Sequence, residues 1–129
     1  MIRHIVFWKL KSEAEGASAK ENGQKMVDAF HALAGKIPGL LSIESGLNFN
    51  KAELGNGDVE YDIALDTTFH NKAALDIYQN HPEHLAIVSF VKKVVTERRA
   101  VDFEFYRSAI KSVIYFFTAL HLKILLLNY

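Results

Sequence analysis

The chain contains no cysteine. That absence excludes thiolate catalysis, cysteine-ligated zinc and disulfide staples, so the fold has to be held by its core, and it favours a reducing compartment. Several motifs are missing as well: G-x-G-x-x-G, the P-loop, the nucleophile elbow and H-E-x-x-H do not occur. Nucleotide, phosphoryl-transfer and zincin chemistry therefore have no support, and any reaction is expected to need no cofactor. The opening "MIRHIVFWKLK" lacks a basic n-region, a long apolar h-region and a small-residue cleavage site. No signal peptide and a cytoplasmic location are expected.

Half of the 129 residues are apolar, enough for the core of one domain. Formal charge is zero but unevenly spread, because residues 107–129 hold Arg107, Lys111 and Lys123 and no acid. Residues 1–106 thus carry 12 basic against 15 acidic side chains. An acidic body lacks the lysines and arginines that neutralise phosphates, so nucleic acid is not an expected partner.

"IRHIVFWKLK" reads as a strand that is apolar on both faces, with Ile2, His4, Val6, Trp8 and Leu10 against Arg3, Ile5, Phe7 and Lys9. Ser12 and Glu15 have capping-box spacing, and Met26, Val27, Phe30, Leu33, Ala34 and Ile37 keep helical spacing, which predicts a helix over about 18–35 that "KIPG" ends. Residues 40–49 alternate as a half-buried strand with Leu41, Ile43, Ser45, Leu47 and Phe49 on one face, and 61–69 form a third strand after a glycine-containing loop. Asn71 is placed to cap a short helix, Pro82 to start another, and 98–106 to form the last strand.

The order strand, helix, strand, strand, broken helix, strand is that of the split βαβ unit. It predicts an α+β fold: a ferredoxin-like four-stranded antiparallel sheet with helices on one face. A first strand apolar on both sides implies that the second sheet face is covered too. The economical cover is another copy of the chain, a two-fold homodimer whose sheets enclose a barrel-like interior, the dimeric α+β barrel.

"IRHIVFWKLK", "KIPGLLSIESG", "YDIALDTTF", "YQNHPEHLAIVSFV" and "RRAVDFEF", in this order, resemble the stress-responsive A/B barrel domain family over about residues 1–106. The resemblance implies small dimers of the kind just derived. It extends to plant cyclases of the olivetolic acid type, which close a linear polyketide without a cofactor. That likeness implies a catalytic tyrosine at Tyr78, a catalytic histidine at His84, a neighbouring pocket histidine at His81 and a first-strand histidine at His4.

The residues themselves leave alternatives open. If a helix starts near Pro82, His84 lies in its first turn, where the helix dipole lowers its pKa and leaves a neutral base, while Tyr78 can donate a hydrogen bond to a carbonyl oxygen gaining charge. The bland reading has Tyr78 packed with its hydroxyl at the surface and His84 capping a helix end. His4 either faces an interior shared with His84 or is a core histidine bonded to a backbone carbonyl, Asp62 or Asp102. His81 and His84, three apart, would share a side of one helix, but the intervening Pro82 and the lack of a third ligand argue against a metal. Asp62 and Asp66, about 13 Å apart along a strand, read as solvated edge groups, and His31 and His70 as solvent-facing.

The expected function is a homodimer that binds an apolar or aromatic small molecule in a cavity lined by His4, Trp8, Tyr78, His81 and His84. The rival is a cofactor-free cyclase or lyase with His84 as general base and Tyr78 as oxyanion donor. A purely structural or assembly protein is the third class. The apolar extension 107–129 has Lys111, His121 and Lys123 inside a stretch of nearly membrane-spanning length. It reads as a helix packed on or joining dimers, as a marginal membrane anchor, or as an extension without selected function.

Overall fold

The computed structural model describes residues 1–106 together with Leu120 and Lys123. The expected helix over 107–129 therefore lies outside the described residues. Among the described residues no helix is long and apolar enough to cross a membrane. The elements run β1 (Ile2–Leu10), β2 (Glu13–Ala14), β3 (Ala17–Ser18), α1 (Ala19–His31), β4 (Leu40–Leu47), β5 (Ile63–Phe69), α2 (Lys72–Asn80), α3 (Pro82–Val94) and β6 (Val95–Glu104).

Four strands form one antiparallel sheet in the order β4-β5-β1-β6. This is the expected ferredoxin-like topology, with one addition: β2 and β3 pair as a small hairpin. Glu15 (φ 52) and Gly16 (φ 73) turn that hairpin in the left-handed region, so Ser12 and Glu15 do not cap a helix. The cap lies six residues on, where the Ser18 side chain accepts the Glu21 backbone N–H at 3.2 Å with the same Ser-x-x-Glu spacing. The helix also stops at His31, sooner than its apolar spacing suggested.

On β1 the residues Ile2, His4, Val6, Trp8 and Leu10 are buried, and α1 lays Met26, Val27 and Phe30 into the same core. Trp8 stacks on Phe30 with ring centroids 5.3 Å apart. Burying one such aromatic contributes about 1.5–3 kcal/mol. The alternation expected of 40–49 breaks at both ends. A register shift between Leu40 and Ser42 turns Leu41 outward, and Phe49 lies beyond β4 and is 92% exposed.

Among the described residues nothing covers the other sheet face. Arg3, Ile5, Phe7 and Lys9 share it with Val101 and Phe103, which sit opposite Ile5 and Arg3 in register. Val101 is 58% and Phe103 40% exposed. An apolar strip of this kind on a sheet is a surface in want of a partner.

Asp62 departs from the expectation of a solvated edge group. It is buried just before β5, takes the Leu10 N–H at 2.7 Å and the Gly55 N–H at 3.1 Å, and pairs with buried Lys51 at 2.7 Å. Lys51 also donates to the Glu60 carbonyl at 3.0 Å, tying the loop before β5 to the end of the sheet. A buried charge survives only when paired and hydrogen-bonded in this way. Asp66 does stay exposed, beside Arg3.

Candidate functional site

His81 and Pro82 set up the site. The Asn71 side chain caps the start of α2 through the Ala74 N–H at 2.9 Å, and His81 closes that helix, its backbone N–H donating to the Tyr78 carbonyl at 3.2 Å. The His81 ring then caps α3 by accepting the Glu83 N–H at its Nδ1 (3.2 Å), and Pro82 starts α3 with the φ a first helical residue needs. One residue ends one helix and begins the next, and the chain bends there. Residues six apart in sequence are brought face to face: the Tyr78 and His84 ring centroids are 4.1 Å apart.

Tyr78 is fully buried, against Phe69 at 5.0 Å and His4 at 6.4 Å between ring centroids. Its hydroxyl has no hydrogen-bond partner among the described residues. Burial pushes the hydroxyl's pKa well up, against the pull of the Arg98 charge, so it is a donor and not a phenolate. His84 Nδ1 lies 3.3 Å from the Gln79 carbonyl, one of the last carbonyls of α2 that have no partner within the helix. A carbonyl only accepts, so in this contact Nδ1 carries the proton and Nε2 keeps the lone pair.

Burial is the first cause that lowers the His84 pKa; the Gln79 contact opposes it, and the positive fields of His4, Arg98 and His81 add to it. The pKa is lowered as the sequence led one to expect, but desolvation rather than the helix dipole is the first cause.

His4 has the Asp102 partner that one reading gave it, and the cavity it faces lies within one chain rather than in an interior shared between two sheets. It is buried, donates its Nδ1–H to the Asp102 carboxylate directly opposite on β6, and lines a cavity with Tyr78 and His84. That cavity, about 410 Å³, lies between the sheet and helices α1–α3 of one chain. It is not the space between two sheets, because His4, Val6 and Trp8 are on the helix-covered side of β1 and the open side holds Arg3, Ile5 and Phe7.

Trp8, Phe30 and Val88 make its apolar wall. His81 does not line it. A larger hollow, about 590 Å³ and more open, lies by Phe7, Phe49, Tyr61 and Ala64 on the other face, away from the histidines. Among the described residues no group of three His, Cys, Asp or Glu is placed to hold a metal. His31 and His70 are exposed, the former accepting the Ser45 N–H at 3.0 Å.

The polar cavity residues that escaped the sequence reading are Gln79, Lys92 and Arg98. Arg98 sits directly opposite Trp8. Only the strand register could have revealed it.

The chain matches the Stress responsive A/B Barrel Domain over residues 2–105. It belongs to the stress-responsive A/B barrel domain family. An uncharacterised protein of Streptomyces coelicolor is 33% identical over 106 residues, covering 81% of this chain and all of that one. A dimeric protein of unknown function with a ferredoxin-like fold from Bacteroides fragilis superposes with a TM-score of 0.65 at 32% identity, over 81% of this chain and 95% of that one. The hydroxynitrile lyase of Passiflora edulis shares the fold at 17% identity, with a TM-score of 0.65 over 82% of this chain and 94% of that one. Family membership thus covers nearly the whole described domain, while the neighbours' names span both proteins without a function and an enzyme.

Proposed function

We propose that this A/B barrel domain is a homodimer that binds an apolar or aromatic small molecule in the cavity between its sheet and helices. The carrying observation is the apolar cavity lined by Tyr78 and His84, together with a buried Tyr78 hydroxyl that has no hydrogen-bond partner among the described residues. An orphaned buried polar group is costly, and a ligand oxygen that accepts from it removes the cost. Dimeric relatives such as the Bacteroides fragilis protein and the open apolar sheet face support self-association. Native mass spectrometry of the full chain purified gently from its own cells tests the reading. A dimer carrying a discrete organic mass is expected, and a bare monomer would sink it. We also place the domain in the cytoplasm; fractionation of cells expressing the full chain, and of cells expressing residues 1–106, tests this and any membrane contact of 107–129.

The facing Tyr78 and His84 rings favour a second reading, a cofactor-free lyase or cyclase. His84 Nε2 would take a proton from carbon beside a carbonyl, and Tyr78 would donate to the oxygen as charge develops there. The Passiflora edulis neighbour is named a lyase, and a base with a hydrogen-bond donor is the minimum such a reaction needs. Deuterium uptake by a 1,3-dicarbonyl probe is the test. His84→Ala is expected to slow it by about 10²–10⁴; rates unchanged in His84→Ala and Tyr78→Phe would remove the enzyme.

A further inference from the structure

The cavity is lopsided in its charged groups. Tyr78 carries a buried hydroxyl and Trp8 a buried indole N–H, and neither has an acceptor among the described residues. An indole N–H can only donate. At the rim Arg98 and Lys92 are exposed, and neither forms an ion pair with a carboxylate among the described residues. No Asp or Glu is among the described residues that line the cavity, and Asp102, opposite His4, is taken by it. The cavity's formal charges are therefore all positive and stand at the rim of an apolar space; the acceptors inside, His4 Nε2, His84 Nε2 and the Gln79 side chain, are neutral and do not match them. We infer that the ligand of this cavity is an amphipathic organic anion, a carboxylate on an apolar or aromatic body, with Arg98 as the main specificity-determining residue.

The geometry separates the two ends of such a molecule. Trp8, Phe30, Leu65 and Val88 surround the body, while Arg98, across the strand pair from Trp8, stands where the cavity meets solvent. A guanidinium there can hold a carboxylate with two parallel hydrogen bonds, and Lys92 adds a point charge. The Arg98 charge already acts on the interior, since it lowers the pKa of both Tyr78 and His84. An apolar pocket with a few placed donors fixes the orientation as well as the class of its ligand.

This inference rests on the binding reading proposed above, and a matched pair of probes separates the two. 2-Naphthoate and 2-naphthamide have nearly the same size and differ in charge, and Trp8, the only tryptophan of the chain, reports cavity occupancy by its fluorescence. The full chain near neutral pH is expected to bind the naphthoate about tenfold more tightly than the amide, the factor that a tenfold change in Kd requires being about 1.4 kcal/mol. Arg98→Leu should abolish the preference by weakening naphthoate binding about tenfold, and Lys92→Leu should reduce it. The Arg98 side chain makes no hydrogen bond to another residue's side chain among the described residues, so circular dichroism of that variant should match the parent. Equal binding of both probes, or a preference that persists in Arg98→Leu, overturns the anion assignment while keeping the cavity. If neither probe alters Trp8 emission at about 1 mM, an affinity weaker than about −4 kcal/mol, the binding reading itself fails and the inference with it.

Discussion

Tyr78 and His84 lie with their ring centroids 4.1 Å apart although they belong to two different helices, α2 and α3. On a continuous helix, residues six apart point in quite different directions. The break at His81 and Pro82 makes the pair, and Tyr78 has a buried hydroxyl that no described residue satisfies.

Function and stability should therefore part company at Tyr78. Tyr78→Phe keeps the ring that packs on Phe69 and removes an unpaired buried oxygen, so urea denaturation is expected to show equal or greater stability, by up to about 1 kcal/mol. Ligand affinity should fall in the same variant. A loss of more than about 2 kcal/mol in stability would mean the hydroxyl has a partner in solution.

His84 predicts a pH signature. Its pKa is lowered from 6.5, first by burial, so below pH 6.5 the unfolded chain takes up a proton more readily than the fold does. The stability tied to neutral His84 is present above pH 6.5 and is lost as pH falls through the lower folded value. The urea midpoint of the parent should drop across that window more than that of His84→Gln. Parallel curves would show that His84 titrates as it does in the unfolded chain.

The Lys51–Asp62 pair is buried on both sides, and Asp62 also holds two backbone N–H groups. Asp62→Ala strands the Lys51 ammonium and should cost about 3–5 kcal/mol. Pairing it with Lys51→Met should recover part of that loss. Additive effects in this double-mutant cycle would show that the two side chains do not interact.

Self-association has its own test at Val101, which is 58% exposed on the open sheet face. Val101→Lys puts a charge into the proposed interface and is expected to weaken dimerisation about a hundredfold or more by sedimentation, while the fold of each chain is kept. An unchanged dimer would place the contact elsewhere.

Much of this was legible before any coordinates. The two-residue alternation of β1, the helical spacing of Met26, Val27 and Phe30, and the stop and restart at Pro82 each follow from local backbone geometry, which side chains within a few residues dictate. The same local reading picked out Tyr78, His84, His4 and Trp8 as candidates, all of which line the cavity, and His81, which caps a helix beside it. It went astray where two local solutions compete, as at Ser12 and Ser18, both followed by Glu at capping distance.

The sequence by itself determined the elements, their order and the residue types available for chemistry. Only the tertiary structure decided which face of β1 the helices cover, and hence that His4 and His84 meet inside one chain. It alone set Arg98 across from Trp8, His4 against Asp102 at a separation of 98 residues, and Asp62 in a buried ion pair. Strand register and loop closure are chosen by the summed burial of the whole sheet, and that sum is not contained in any one segment.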